Sequence, residues 1–286
     1  MGDNPWLDRR VISYAHQGGA NEAPSSTLYA IDRAVGLGAG AIELDVHATA
    51  DGRLVVCHDA TLERTSDGSG FIADHSLEEL LGLDNAYSFV PGEDAQPGRD
   101  PSAYPLRGLA PGDHELGIAT LEEILERYPG VVLNLDIKRT APEIEPYEET
   151  LAELLREYER LDDVIVASFV DAATEASKRC APEIATSAGT NATADFYRAY
   201  RAGAPVPEAL GRHVALQVPV SFHGITLVDE GFVATAHAAG LAVHVWTIND
   251  RAEMEELLDL GVDGIISDLP TPLVALLRAR GMQWTP

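Results

Sequence analysis

The chain has 286 residues, 45% of them hydrophobic, and a formal net charge of −26. So acidic a surface repels phosphate backbones and anionic lipids, which argues against nucleic acid or a membrane as the main partner. No apolar run approaches the roughly 18 residues of a membrane span, the amino terminus has no apolar signal region, and two cysteines make no disulfide framework. We therefore expect a soluble cytoplasmic protein that binds a small molecule and makes no stable membrane association.

The first predicted strand covers residues 11–15 and ends at His16. A helix pattern follows over residues 27–37, where Gly38 stops it. The chain therefore begins with a strand and a helix.

The second predicted strand alternates acids with aliphatic residues, so that Glu43 and Asp45 point to one face. Asp51-Gly52 predicts a two-residue hairpin turn to a returning arm. Pairing across that turn sets Asp45 opposite His58. Two acids and an imidazole would therefore share one site, and two acids on a buried strand face require a cation.

Residues 84–118 hold no sustained helix or strand pattern and are punctuated by proline and glycine. We interpret residues 60–118, with a short helix over 77–81, as an insertion, because strand and helix alternation resumes directly beyond it. There Thr120 and Glu123 form a capping-box pattern that opens a helix.

Without the hairpin arm, the predicted strands begin at residues 11, 41, 131, 164, 184, 214, 242 and 263, and most are followed by a helix. Eight such units predict one α/β domain over residues 1–286 with the (β/α)₈ TIM-barrel fold. A doubly wound sheet would need a glycine-rich phosphate loop after its first strand, and His16-Gln17-Gly18-Gly19 is a poor match to one.

The active sites of barrels lie at the carboxyl ends of the strands, and the unusual residues of this chain fall there. They are His16 after the first strand, Glu43 and Asp45 on the second, Asp136 and Lys138 on the third, and Trp246 and Asn249 on the seventh. Three carboxylates suit Mg²⁺ or Ca²⁺, with Mn²⁺ as a further candidate, whereas zinc favours histidine or cysteine ligands. The ion and Lys138 would present positive charge to an anionic substrate despite the acidic surface.

Two histidines, His16 and His58, would flank this metal site. In displacement at phosphorus one histidine removes a proton from the nucleophile and the other protonates the leaving oxygen. The residues therefore indicate acid–base catalysis beside a metal ion, and a solvated strand face with a surface histidine is the alternative interpretation.

A longer series of motifs runs in order from about residue 11 to 280. It includes His16-Gln17-Gly18-Gly19, Pro24-Ser25-Ser26-Thr27, Glu43-Leu44-Asp45-Val46, Val56-x-His58-Asp59, Asp136-Ile137-Lys138, Ser168-Phe169, Trp246-Thr247-Ile248-Asn249 and Gly261-Val262-Asp263-Gly264-Ile265-Ile266-Ser267-Asp268. In these motifs the sequence resembles the glycerophosphodiester phosphodiesterase family. The resemblance implies metal-dependent hydrolysis of glycerophosphodiesters to sn-glycerol 3-phosphate and an alcohol, through a cyclic phosphate formed by the substrate's own hydroxyl.

The resemblance also implies roles for eight residues. His16 and His58 are the acid and base, Glu43, Asp45 and Asp136 hold one divalent ion, Gln17 and Lys138 contact the substrate phosphate, and Trp246 lines the glycerol or alcohol pocket. The insertion takes the place of a small family insertion that covers the barrel mouth. Four of its residues are candidates to reach the substrate, although a structural role is expected of each: Asn85, Tyr87, Phe89 and Arg107.

Three positions depart from the family pattern. Gln17 and Ser25 stand where arginine and glutamate are usual, which we interpret as the coordinated loss of an ion pair that strands neither charge. Asp136 stands where glutamate is usual and shortens that arm by one methylene group.

Two alternative functions remain open. A phospholipase D-like or phosphoinositide-cleaving relative would expose a more apolar rim than the acidic insertion suggests. A non-catalytic binder of a phosphorylated polyol would need neither histidine, and both histidines and all three acids are retained.

Overall fold

The predicted strands form a ring with helices outside it. The computed structural model describes residues 4–8 and 11–284, and in this part of the chain eight parallel strands alternate with eight helices. The strands are β1 (Ile12–His16), β2 (Ala41–Ala48), β3 (Val132–Ile137), β4 (Val164–Ala167), β5 (Ala185–Thr186), β6 (Ala215–Pro219), β7 (Ala242–Trp246) and β8 (Gly264–Ser267). The helices are α1 (Leu28–Leu37), α2 (Leu121–Arg127), α3 (Glu148–Glu157), α4 (Asp171–Cys180), α5 (Thr190–Ala202), α6 (Glu230–Ala238), α7 (Arg251–Leu260) and α8 (Pro270–Arg280).

The ring has the strand order β5-β4-β3-β2-β1-β8-β7-β6. The two end strands of this order, β5 and β6, meet through a parallel bridge between Ser187 and Ala215. The Ala188 N–H donates to the Ala215 carbonyl at 2.9 Å. This junction, which we call the seam, closes the sheet. The prediction of a (β/α)₈ barrel is therefore confirmed.

Alternation along each strand decides which side chains enter the barrel. On β2, Ile42, Leu44 and Val46 point outward and are fully buried in the apolar layer beneath α1 and α2. Glu43 and Asp45 consequently point inward. Burying both faces of a parallel strand in this way is the rule for barrels.

The barrel interior is filled in layers. At the amino-terminal ends of the strands an apolar layer, sealed by Trp6 from the short helix Pro5–Asp8, contains Ile12, Ala41, Val132, Ala215 and Ala242. Above it lies a polar layer that includes Tyr14, Asn134, Gln217 and His244. Because these layers fill the lower barrel, the described residues leave depth for a ligand at the carboxyl ends of the strands.

The hairpin after β2 differs from the prediction by one residue. Its arm, Leu54–Val56, pairs Val46 with Val56, so that Asp45 lies opposite Cys57 and not opposite His58. The Thr49 N–H donates to the Arg53 carbonyl, and Gly52 has a positive φ of +76°. This is a three-residue loop with a left-handed glycine, which the Asp-Gly dipeptide also permits.

The insertion consists of short turns between that hairpin and α2. It contains a five-residue helix, Leu77–Leu81, and single 3₁₀ turns at Ile72–Asp74, Pro101–Ala103, Ala110–Gly112 and His114–Leu116. A small apolar cluster that includes Leu62, Ile72 and Leu80 anchors it to the hairpin arm.

Helix boundaries follow capping residues. Thr120 and Glu123 form the predicted capping box at α2, with the Glu123 N–H donating to Thr120 Oγ1 at 3.1 Å and the Thr120 N–H to Glu123 Oε2 at 2.9 Å. Helix α3 begins at Glu148, two residues after Pro146. Among the described residues, none of the helices has the length and apolarity that crossing a membrane requires.

A second hairpin, Ser221–Thr226, follows β6 and was not predicted. Its strands Ser221–Phe222 and Ile225–Thr226 are joined by His223 and Gly224, which both have a positive φ. Two left-handed residues make the turn that best matches the twist of paired strands. We call this element the rim hairpin, and a Glu208–Arg212 3₁₀ turn precedes β6 on the opposite end.

Gly264 tests how tightly the barrel interior is filled. A Cβ added there would lie 2.8 Å from the rings of both His244 and Tyr14. We expect Gly264→Ala to destabilise the fold by about 1–3 kcal/mol, as overpacking of a filled core does. The matched control is Gly36→Ala on the exposed face of α1, where a Cβ meets no atom within 4 Å and the helix should gain up to about 1 kcal/mol. Urea unfolding measures both changes; a neutral Gly264→Ala would show that the interior has room to relax.

Candidate active site

A cavity of about 440 Å³ opens at the carboxyl ends of the strands. It brings together seven of the eight predicted site residues: His16, Glu43, Asp45, His58, Asp136, Lys138 and Trp246. Gln17 is adjacent to the cavity but does not line it. The opposite wall is apolar and includes Phe169, Tyr197, Phe222 and Ile225.

Lys138 joins two of the buried acids. Asp45 and Asp136 are paired in register on β2 and β3, which places their carboxylates side by side. The Lys138 ammonium lies 2.8 Å from Asp45 Oδ1 and 3.3 Å from Asp136 Oδ2. Burial alone would lower the pKa of Lys138, but these carboxylates raise it, so the ammonium stays charged.

The positive charge near Glu43 and Asp136 is too small to keep the pKa of either carboxylate at its usual value. Burial, together with the neighbouring Asp45 charge, raises the pKa of Glu43 to about 8. Burial also raises the pKa of Asp136, although Lys138 opposes that shift. An additional cation would therefore favour ionisation of the whole group.

Two carboxylate oxygens in this group have no partner. Asp45 Oδ2 and Asp136 Oδ1 are buried and accept no hydrogen bond. Anionic oxygens of this kind are the ligands that hard divalent ions take. Within residues 4–8 and 11–284, however, no three Asp, Glu, His or Cys side chains stand in an arrangement that could hold a metal ion. The donor chemistry fits a divalent ion, while Glu43, Asp45 and Asp136 as its ligands remain a prediction.

Asp268 fixes the orientation of His16. His16 Nδ1 lies 2.6 Å from Asp268 Oδ1, and Asp268 is held in turn by Asn249, whose Nδ2 donates to Oδ2 at 2.7 Å. Burial alone would lower the pKa of His16, but the Glu43 and Asp268 carboxylates together raise it to about 9. These carboxylates therefore favour the protonated imidazole, and Asp268 directs it.

His58 faces His16 at a ring-centroid distance of 6.1 Å. Its Nδ1 lies 2.7 Å from Asp59 Oδ1, and Asp59 also accepts a hydrogen bond from Arg64 Nε at 2.6 Å. The His58 hydrogen bond and Arg64 hold the pKa of Asp59 far below its usual range. With Nδ1 engaged, Nε2 is the nitrogen available for proton transfer.

Gln17 contacts His16 instead of the cavity. Its backbone is left-handed, with φ +53°, and its N–H donates to the Glu43 carbonyl at 2.9 Å. Gln17 Nε2 lies 3.1 Å from His16 Nε2, while the buried Gln17 Oε1 has no partner. Rotating the amide by 180° places Oε1 against the imidazole, where it accepts the imidazolium proton. Contact between Gln17 and a substrate phosphate stays a prediction.

Trp246 ends β7 and begins the apolar wall. Its ring packs edge-on against Phe169, with centroids 5.5 Å apart. Phe169 also lies beside Lys138, whose Nζ is 5.8 Å from the Phe169 ring centre. The apolar wall is therefore continuous with the charged end of the cavity.

The four insertion residues considered as candidates are structural. Asn85 is held by Thr65 and the Ser25 carbonyl, and Phe89 is buried. The Arg107 guanidinium stacks over Tyr87 and Tyr104. None of them is among the residues that line the cavity in the described part of the chain.

Sequence reasoning gave Asp268 no role and missed the rim hairpin. Asp268 stands directly after β8, at the same ring edge as the other site residues, so its position carried a usable signal. His223-Gly224 between apolar residues was the corresponding signal for the rim hairpin.

Comparison with known proteins agrees with the family resemblance seen in the sequence motifs. A family model described as the glycerophosphoryl diester phosphodiesterase family matches residues 16–271. A glycerophosphodiester phosphodiesterase from Caldanaerobacter subterraneus subsp. tengcongensis is 32% identical over 278 residues, covering 95% of this chain and 100% of the relative. A protein from Mycobacterium tuberculosis named probable glycerophosphodiester phosphodiesterase 2 is 31% identical, covering 96% and 92%.

Solved structures agree with these relatives. A solved structure from Silicibacter pomeroyi, named putative glycerophosphoryl diester phosphodiesterase, has a TM-score of 0.76 and 23% identity. The match covers 97% of this chain and 96% of that one. An Oleispira antarctica phosphodiesterase, solved in complex with the product sn-glycerol-3-phosphate, has a TM-score of 0.72 and 26% identity, covering 94% and 97%. The barrel, the motifs and the matched length lead to one conclusion: the chain belongs to the glycerophosphoryl diester phosphodiesterase family.

Proposed function

We propose that the chain hydrolyses glycerophosphodiesters to sn-glycerol 3-phosphate and an alcohol, with one divalent cation and with His16 and His58 transferring protons. The observation that carries the proposal is that two histidines, three carboxylates and Lys138 share one cavity. Family membership and the sn-glycerol-3-phosphate bound to the Oleispira phosphodiesterase support the substrate class.

Glu43, Asp45 and Asp136 would hold the ion, which we propose to be Mg²⁺, Ca²⁺ or Mn²⁺. The unpartnered oxygens of both aspartates and the raised pKa of Glu43 support a cation at this place. When bound, the ion would polarise the phosphate and neutralise developing charge. Lys138 supplies the chain's own positive charge at the same end of the cavity, so the acidic surface of the protein does not prevent anion binding.

The two histidines differ in their surroundings, which suggests a division of roles. His16 is protonated and is oriented by Asp268, as a general acid needs to be. His58 presents Nε2 because Asp59 engages Nδ1, as suits a general base. His58 would accept the proton of the attacking hydroxyl, and His16 would give a proton to the leaving oxygen.

Because Gln17 stands where the family has arginine, other groups must neutralise the charge of the substrate phosphate. A neutral amide forms weaker hydrogen bonds to anions than a guanidinium does. Ser25, at the other departed position, is buried, and its carbonyl accepts from Asn85 at 3.3 Å. We propose that Lys138 and the ion carry most of the phosphate charge here.

A non-catalytic binder of a phosphorylated polyol is the less supported function. Such a binder would not require two histidines that are each oriented by a separate carboxylate, Asp268 and Asp59. We further propose a cytoplasmic role in the breakdown of lipid-derived diesters, which free thiols at Cys57 and Cys180 would suit.

Replacing either histidine tests the catalytic proposal. We expect His16→Ala and His58→Ala each to lower turnover of glycerophosphocholine by roughly 10²–10⁴-fold, because each removes a proton-transfer group. His114→Ala is the control, since His114 lies half-exposed in the insertion and contacts Glu123. Steady-state rates with saturating Mn²⁺, together with thermal unfolding curves, separate catalysis from folding. Near-full activity in either variant would leave that histidine only a structural role.

Metal binding is tested without reference to activity. Crystals soaked in Mn²⁺ should show an anomalous peak with oxygens of Glu43, Asp45 and Asp136 at roughly 2.0–2.6 Å. In calorimetry, Asp45→Asn and Asp136→Asn should each weaken Mn²⁺ binding by more than about tenfold, because loss of a ligand costs at least as much as loss of its supporting groups. Asp259→Asn, on the exposed surface of α7, is the control. A peak elsewhere, or unchanged affinity in both variants, would refute this assignment.

A further inference from the structure

The cavity has two chemically different ends. Its charged end contains the histidines, the carboxylates and Lys138. Its other end is the apolar wall, formed by Phe169, Tyr197, Phe222, Ile225 and Trp246. We propose that this wall binds a hydrocarbon chain carried by the alcohol of the phosphodiester, so that the preferred substrates are glycerophosphodiesters of apolar alcohols. The inference rests on the proposed function and specifies its substrate class.

The wall exposes more apolar surface than a water-filled mouth requires. Phe169, Phe222 and Ile225 are 56%, 58% and 52% exposed, and all three face the same cavity. Large apolar side chains that are exposed together mark a binding site more often than chance. The rest of the mouth is different, because the side near His58 carries the Asp59–Arg64–Asp94 ion network.

The rim hairpin holds part of this surface in place. Its tight turn at His223 and Gly224 presents Phe222 and Ile225, which are paired across the two strands. The Tyr197 hydroxyl on α5 reaches the Thr226 carbonyl at 3.4 Å. The wall is therefore built on paired strands and a helix, and it does not have to form when a ligand arrives.

The wall begins where the phosphate would lie. Phe169 is beside Lys138 and packs on Trp246, as described above, so a group bonded to a phosphate at the charged end continues directly over apolar rings. A free headgroup such as glycerol or a sugar would leave its hydroxyls facing these rings, and unpaired polar groups in an apolar site are costly.

The charges on the wall favour a neutral chain over a cationic headgroup. Among the described lining residues, carboxylates occur only at the charged end, as Glu43, Asp45 and Asp136. Arg198 also lines the cavity, and it pairs with Asp195 on its own helix. A quaternary ammonium would meet aromatic faces but no acid there, whereas a hydrocarbon chain needs neither.

A homologous series of substrates tests the inference. The probes are the sn-glycerol 3-phosphate esters of ethanol, butanol and octanol, each used below its micelle concentration, with glycerophosphocholine as the cationic comparison. We expect kcat/KM to rise about two- to fourfold per methylene group up to the length of the wall, as burial of hydrocarbon predicts. The octyl ester should also be a better substrate than glycerophosphocholine.

Variants of the rim hairpin locate the effect. The double variant F222S/I225S should reduce the octyl-to-ethyl ratio of kcat/KM by at least tenfold, because it removes two apolar contacts from the chain. The control is Phe71→Ser, which removes a similarly exposed ring, 46% accessible, from the insertion and should leave the ratio unchanged. Thermal unfolding establishes that each variant is folded.

The outcomes separate this inference from the function on which it rests. Hydrolysis of none of the esters would refute the proposed function. Hydrolysis of all of them without a dependence on chain length, or a preference for glycerophosphocholine, would overturn the inference alone. If the octyl ester shows no gain below its micelle concentration and gains only when the assay is repeated above it, the rim contacts a lipid aggregate and not a single chain, which also overturns the inference.

Discussion

Carboxylates of Glu43, Asp45 and Asp136 all line the barrel mouth, where burial weakens the screening that water provides. They cannot all be ionised there without nearby positive charge, and the rest of the site follows from this constraint. Lys138 bridges two of them, His16 Nε2 lies 3.7 Å from the third, and in our proposal a divalent ion completes the balance. The same repulsion that makes the cluster unfavourable alone favours the approach of a cation.

Packing of the barrel holds the three carboxylates together despite their mutual repulsion. The apolar layer at the bottom and the outward-facing aliphatic residues of β2 hold the strands in register, so Asp45 and Asp136 have no freedom to separate. Beneath them, Gln217 Nε2 donates to Asn134 Oδ1 at 2.9 Å across the interior. The electrostatic strain is thus supported by packing that extends over the whole ring.

Sequence reasoning predicted the strands and the inward-facing acids because alternation of polar and apolar residues is a local property of the chain. It placed His58 opposite Asp45 and was wrong by one residue, since Asp51-Gly52 is compatible with loops of two or three residues and only the tertiary structure selects one. The partner of His16 is Asp268, separated from it by most of the chain, and no local pattern measures that distance. Trp246 was predicted for the pocket, but the rest of the apolar wall was not, because the wall is assembled from four parts of the chain that meet only around the cavity.

The seam between β5 and β6 gives the ring one compliant side. β5 is two residues long and meets β6 through a single bridge, so fewer paired residues join the ring there than between β2 and β3. The helix that follows β5 and the rim hairpin that follows β6 both flank this junction, whereas the acids lie on β2 and β3 across the barrel. Opening of the seam would widen the mouth for a large substrate, while the acids on β2 and β3 would keep their positions.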